Sequence, residues 1–442
     1  MSLPGSPANL LLAATVGGPG PHPVMILPFG LMLLAIALMP YLHSHWWEAN
    51  YPKVAVSLAA ITVIYYVLIL GQSGRMLHVA HEYASFIALI GGLFVVAGGI
   101  HIRVKGLAQP SVNCVFLLIG AVLSNVIGTT GASMVLIRPW IRMNRYRISG
   151  FHVVFFIFIV SNVGGCLTPI GDPPLFLGYI KGVPFWWVLT KCWAAWAVVM
   201  AGLVGVFYAL DRKNFLRTPR DNHEAERAEE AWRFDGMRNL VFLSMILGAV
   251  FLREPPGASE ALMVVAGLGS WFATPKAVRE ANDFSFAPMR EVAWLFLGIF
   301  ATMAPALDWL EHHAGQLGLD TSMRLFWSTG GLSAALDNAP TYLTFLAVAV
   351  GRQGLTMDQP AQILQFATSQ DRELMAISLG AVFFGAATYI GNGPNFMVKS
   401  ICERAKIRTP GFAEYVYKYA IPVLLPILGA VALLFFSCWR VL

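Results

Sequence analysis

The chain has 442 residues, 57% hydrophobic and only 12% charged, with a mean hydropathy of +0.63. A soluble domain carries roughly 25% charged residues, so a soluble enzyme, a disulfide-stapled secreted module and a disordered chain are excluded. The net charge of +6 resides in short links between apolar stretches, which is the pattern of membrane topology and not of nucleic-acid binding.

Residues 1–24 read as an extramembrane segment. It has no basic start before its short apolar run, so it does not read as a cleaved signal peptide. Apolar spans follow at about 25–42, 54–71, 83–102, 150–180, 187–210, 238–253, 258–274, 291–310, 373–398 and 415–438. Stretches this long and this poor in charge are expected to be transmembrane helices. The segments 111–140 and 320–350 are also long enough to span, but polar residues break each in the middle, as AVLSNVIGTTGAS and GLSAALDNAPTYLT. Such breaks are tolerated at membrane depth only against protein or a wet cavity. Both are expected to be re-entrant hairpins. The five cysteines, at 114, 166, 192, 402 and 438, form no CxxC or Cys/His cluster, and their expected role is packing.

With both hairpins re-entrant, 22 of the 30 basic residues fall in one set of links and 8 in the other. The richer set marks the cytoplasmic side. The chain is then a multi-pass protein of a plasma (inner) membrane, with both termini outside the cytoplasm. The link 211–236 carries 6 Lys/Arg and 7 Asp/Glu and reads as a soluble cytoplasmic connector. It divides the chain into halves, 25–210 and 237–442, of the same plan: three helices, a hairpin, then two helices of which the first is broken. The fold class expected is an all-α polytopic membrane protein of two inverted-topology repeats, with about ten transmembrane helices plus two hairpins.

Sequence matches support the duplication. TPIGDPPLF at 168–176 answers TYIGNGPNF at 388–396, 220 residues on. Hairpin asparagines Asn125 and Asn338 lie 213 apart, and HEYASFIAL around Glu82 answers REVAWLFLG around Glu291 at 209. Inverted repeats with broken helices are the sequence mark of a secondary transporter.

The chemistry is expected in the breaks. Gly164, Gly165, Gly171, Pro169, Pro173 and Pro174 cannot sustain a helix through 161–176. Unwinding there frees backbone groups that need partners, and a bound ion or solute is one such partner. Asp172 is the sharpest candidate, because a carboxylate at mid-span costs about 3 kcal/mol to insert. Asp337, at the second tip, follows the same logic. Oxygen-bearing side chains surround both: Ser124, Asn125, Thr129 and Thr130 in the first hairpin, Ser333, Asn338 and Thr341 in the second, and Thr168, Thr388, Asn392 and Asn395 in the breaks. Hard cations take such oxygens. A sodium ion is therefore expected near Asp172 and Asp337, and competition with a proton at the same carboxylates would suffice for exchange. Proton-coupling candidates are Asp172, Asp337, Glu82 and Glu291. His78, His81, Asp308, Glu311, His312 and His313 lie near one face, where pH could be sensed.

SNVGGCLTPIGDPPLFLG, with the later LDNAPT and GNGPN, resembles the ion transporter superfamily over nearly the whole chain, roughly 25–438. Within it the chain is most similar to NhaD-type sodium:proton antiporters and to citrate transporters of the CitMHS kind. The resemblance implies a scaffold part and a moving transport part, usually in a homodimer. It also implies cation sites at the hairpin tips and facing breaks, here Ser124, Asn125, Thr129, Gly171, Asp172, Asp337, Asn338, Gly391 and Asn392. The leading functional reading is a sodium:proton antiporter working by an elevator-type motion. The alternative is a sodium- or proton-coupled carrier of an organic anion such as citrate or a dicarboxylate. No enzymatic motif, nucleotide loop or cofactor site is read. The expected partners are lipid, a small cation or organic anion, and a second copy of the chain.

Overall fold

The computed structural model describes residues 21–103, 109–217, 233–252 and 254–437. Most of the expected N-terminal segment, the middle of the 211–236 link and Cys438 lie outside the described residues. The protein is an all-α polytopic membrane protein. Among the described residues, eight helices are long and apolar enough to cross a membrane.

In chain order the elements are α1 (Leu27–Leu42), α2 (Ser44–Ile64), α3 (Ser73–Gly98), β1 (His101–Arg103), α4 (Pro110–Met143), α5 (Gly150–Ile159), α6 (Pro173–Lys181), α7 (Trp187–Arg217), β2 (Arg233–Asp235), α8 (Asn239–Ala249), α9 (Ala258–Ala273), α10 (Lys276–Ala281) and α11 (Ala287–His313). Then come α12 (Ser322–Ala335), α13 (Asn338–Arg352), α14 (Pro360–Ser369), α15 (Asp371–Phe384), α16 (Gly393–Arg404) and a last span, α17 (Phe412–Phe436).

The segment α4 is a hairpin. Gly128 sits at φ 74, ψ 156, a conformation open to glycine and closed to residues with a Cβ. A straight helix would hold Asn113 and Asn144 about 46 Å apart, yet the Asn113 amide donates to Asn144 Oδ1 at 2.8 Å. The Phe116 and Trp140 rings stack across the two limbs at 5.5 Å. The pair α12–α13 turns at Leu336–Asp337, and Arg352 reaches back to the carbonyl of Leu319. Both expected hairpins therefore double back. The two long spans expected at 150–180 and 373–398 are each interrupted, between α5 and α6 and between α15 and α16.

The helices pack in two groups. One consists of α1, α2, α3, α8, α9 and α11; α3 and α11 cross with Phe86 stacked on Phe296 at 4.6 Å and the Tyr83 hydroxyl on Ala293 O at 2.8 Å. The other gathers both hairpins, both broken helices, α7 and α17. The groups meet where α3 faces the first hairpin and α6, and where α11 faces α13.

The described ends of the 211–236 link are structured. The α7 helix runs on to Arg217, and β2 pairs antiparallel with β1. Asp211 is fully buried. It accepts from Asn113 at 2.8 Å, from His152 Nε2 at 3.0 Å and from both arms of Arg147. This network ties the base of the first hairpin to α5 and α7. A buried carboxylate left without its cation costs about 3–5 kcal/mol. Arg147→Met should lower the thermal unfolding midpoint in detergent strongly, whereas Arg324→Met should cost under about 1 kcal/mol, because the Arg324–Asp320 pair is well exposed.

Candidate ion and substrate site

Four helices begin at one place. The second limb of the first hairpin starts at Thr129, just past Gly128; α6 starts at Pro173, α13 at Asn338 and α16 at Gly393. Glycine, proline and asparagine at these points stop the preceding helix and start the next. Asp172 and Asn392 occupy the N-cap positions of α6 and α16, and neither side chain caps its own helix. They turn to each other instead. Asn392 Nδ2 donates to Asp172 Oδ1 at 2.9 Å. Thr129 Oγ1 donates to the same oxygen at 2.9 Å, and Asn338 Nδ2 donates to Oδ2 at 2.6 Å.

Asp172 thus joins both hairpin tips and both breaks. It is 1% exposed, and among the described residues no basic side chain pairs with it. Its electrostatic support comes from three neutral donors and four helix N-termini, each carrying about half a positive charge.

The backbone repeats the same junction twice. Thr129 N–H donates to Gly171 O at 2.8 Å, and Asn338 N–H donates to Gly391 O at 3.1 Å. Ser124 Oγ donates to Val160 O at 2.7 Å, and Ser333 Oγ to Ala381 O at 2.6 Å. These contacts correct the expected pairing of Asn125 with Asn338. The equivalent of Asn338 is Thr129, 209 residues earlier, which is also the spacing of Glu82 and Glu291. Asn125 corresponds to Ala334, whose carbonyl accepts from Thr388 Oγ1 at 2.7 Å, as the Asn125 carbonyl accepts from Thr168 Oγ1 at 2.6 Å.

Most of the freed carbonyls are answered by side chains. Asn125 Nδ2 donates to Gly164 O at 2.6 Å, and Asn395 Nδ2 donates to Gly385 O and Thr388 O at 2.8 and 2.9 Å. Ser124, Asn125, Thr168, Thr388 and Asn395 hold these seams, with Gly171 and Gly391 as backbone acceptors. Thr130 lines the neighbouring cavity. Asp337 is a helix cap: its Oδ1 accepts from Ala339 N at 3.0 Å, and Thr341 Oγ1 donates to its carbonyl at 2.9 Å. Its neighbour Asn338 is the one that touches Asp172.

Glu82 and Glu291 stand away from this centre. Glu82 is buried in an ion pair with Lys181 at 2.7 Å, while Glu291 is exposed. Of the candidate pH sensors, Asp308 binds Arg75 and the Tyr66 hydroxyl. His312 and His313 are engaged with carbonyls one turn back.

Asn162 was not singled out from sequence. It is fully buried, donates to Asn395 Oδ1 at 2.7 Å and accepts from Asn392 at 3.2 Å, so it crosses from one break to the other. Its signal was an amide inside the apolar run FFIFIVSNVGG. Among the described residues, the Asn338 Oδ1 atom is buried without a hydrogen-bond partner.

A cavity of about 30 Å³ adjoins Asp172, between α3 (Leu89, Ile90, Leu93, Phe94), the first hairpin tip and Phe176 of α6. That is more than the roughly 10–15 Å³ one water needs. The space admits water or a small ion.

Residues 21–436 match the family described as "Putative citrate transport". The chain belongs to that family and is a membrane transporter. No curated protein matches it.

In the first break Gly171 lies tight against Gly165, where a Cβ on Gly171 would lie 2.0 Å from the Gly165 carbonyl oxygen. Backbone cannot yield to backbone there, so Gly171→Ala should abolish accumulation of monodisperse protein in size-exclusion chromatography. Gly393→Ala, with open space around its Cβ, should leave it unchanged.

Proposed function

We propose that the chain is a cation-coupled secondary transporter of an organic anion of the citrate class. The observation that carries this reading is the set of four helix N-termini converging on one buried carboxylate. Helix N-termini bind anions, and Asp172 occupies that field with its own negative charge. A proton or sodium ion on Asp172 cancels this charge and leaves the N-termini free for a cargo carboxylate. Cargo and coupling cation then load together, because each removes an obstacle to the other. The family membership supports the same cargo class.

Asn338 supplies a device for the exchange. Its amide nitrogen donates to the Asp172 carboxylate, and its oxygen has no partner among the described residues. Rotation of the amide would present that oxygen to a protonated Asp172 or to a sodium ion. In this reading the coupling ions bind at Asp172, with Thr129, Asn338 and Asn392 as neighbours, and Asp337 shapes the tip.

The two helix groups provide the moving parts. The group holding both hairpins carries the site, and α3 and α11 provide the surface it slides along, in an elevator-type exchange of access. The halves are inverted repeats, and the dense basic links lie in the cytoplasm. A homodimer built on the first group fits this division.

Sodium:proton antiport is the second reading. It is favoured by the 30 Å³ cavity and by the absence of Lys and Arg from its lining.

Purified protein in sealed vesicles separates the two. Labelled citrate should enter only with an inward sodium or proton gradient, and Asp172→Asn should abolish the dependence on that gradient. A sodium-driven change of lumenal pH with no citrate flux would instead establish the antiporter.

A further inference from the structure

The buried pair Glu82–Lys181 has no part in the Asp172 network, yet it lies on the two elements that wall the Asp172 cavity. Along α3, Glu82 is two turns before Leu89, about 10 Å. Along α6, Lys181 is five residues beyond Phe176, about 7.5 Å. Leu89 and Phe176 both line the cavity. The ion pair therefore closes the same cleft one to two turns farther out, with Glu82 4% and Lys181 6% exposed. His78 Nε2, 3.1 Å from Glu82, completes the polar cluster.

Other contacts close the interface at this end. The Tyr179 hydroxyl donates to Val250 O at 2.7 Å, and Phe185 packs on Phe251 with ring centres 4.6 Å apart. Arg75 of α3 bridges Asp308 of α11 and Asp358, beyond the second hairpin. Glu311 of α11 accepts from Met357 N and Thr356 Oγ1, both at 3.1 Å. The opposite end differs: there Arg138 of the first hairpin meets Asp283, whose side chain is 77% exposed.

The repeat makes the asymmetry sharper. Glu291, the counterpart of Glu82, is exposed, and the position 220 residues after Lys181 is Ile401. The duplicated frame carries this buried pair in one half only. On the charge pattern of the links, the Lys181 end faces away from the cytoplasm.

We infer that Glu82–Lys181 is the latch of a gate, which shuts the Asp172 cavity from the non-cytoplasmic side and parts when cargo enters there. Lys181 ends the nine-residue helix that Asp172 heads, so displacement of the site and release of the latch are one motion. The inference rests on the alternating-access reading above, and not on the identity of the cargo.

Accessibility tests it without any substrate. Ile90→Cys places a thiol on the cavity wall, and a membrane-impermeant maleimide applied from the non-cytoplasmic side reads its exposure over the parent chain. Glu82→Gln and Lys181→Met should each raise the labelling rate several-fold. The exchanged pair Glu82→Lys with Lys181→Glu should return it toward the parent rate. Lys181→Gln serves should the methionine variant not fold. Unchanged labelling in the single variants, or an exchanged pair labelled as fast as they are, overturns the latch. Citrate transport can fail independently of this result, so the two readings fall separately.

Discussion

The structure depends on one buried carboxylate that pairs with no basic side chain among the described residues. Asp172 is surrounded by neutral hydrogen-bond donors and by the positive ends of four helices. A lone carboxylate in a low-dielectric interior is costly. Converging N-termini offset that cost because their partial charges are fixed by the backbone and need no reorganisation. The arrangement constrains everything around it. Each helix must be interrupted to present its end, and each interruption must then satisfy the backbone groups it frees.

That second requirement explains the composition of the breaks. The small and amide side chains there are chiefly the partners of orphaned carbonyls. Ser124, Ser333, Thr168, Thr388, Asn125 and Asn395 each donate to backbone exposed by a break. A sequence rich in oxygen ligands at a re-entrant tip therefore overstates the number of residues free to bind an ion. Three side chains besides Asp172 meet at the centre, namely Thr129, Asn338 and Asn392.

The architecture was legible because its signals are physical necessities. Glycine, proline and asparagine inside apolar runs located both hairpins and both breaks, and the repeated TPIGDPPLF and TYIGNGPNF motif located the duplication. Asp172 stood out as a charge at membrane depth. The register of the hairpins did not. Matching Asn125 to Asn338 follows residue identity, whereas the equivalence runs through backbone bonds from Thr129 and Asn338. Tertiary burial was also hidden. Asp211 sits among the charges of a link, and only packing of α4, α5 and α7 reveals that it anchors a hairpin. Glu82 read as a proton carrier because its partner Lys181 lies 99 residues away, on a helix that folds back against it.

The central claim is that Asp172 is the seat of the coupling cation. Equilibrium binding of radioactive sodium to purified protein at alkaline pH tests it most directly, because no cargo, gradient or membrane orientation enters. With sodium as the coupling cation, the account predicts saturable binding to the parent chain that vanishes in Asp172→Asn and persists in Asp337→Asn, whose carboxylate caps a helix. Undiminished sodium binding by folded Asp172→Asn protein would contradict it.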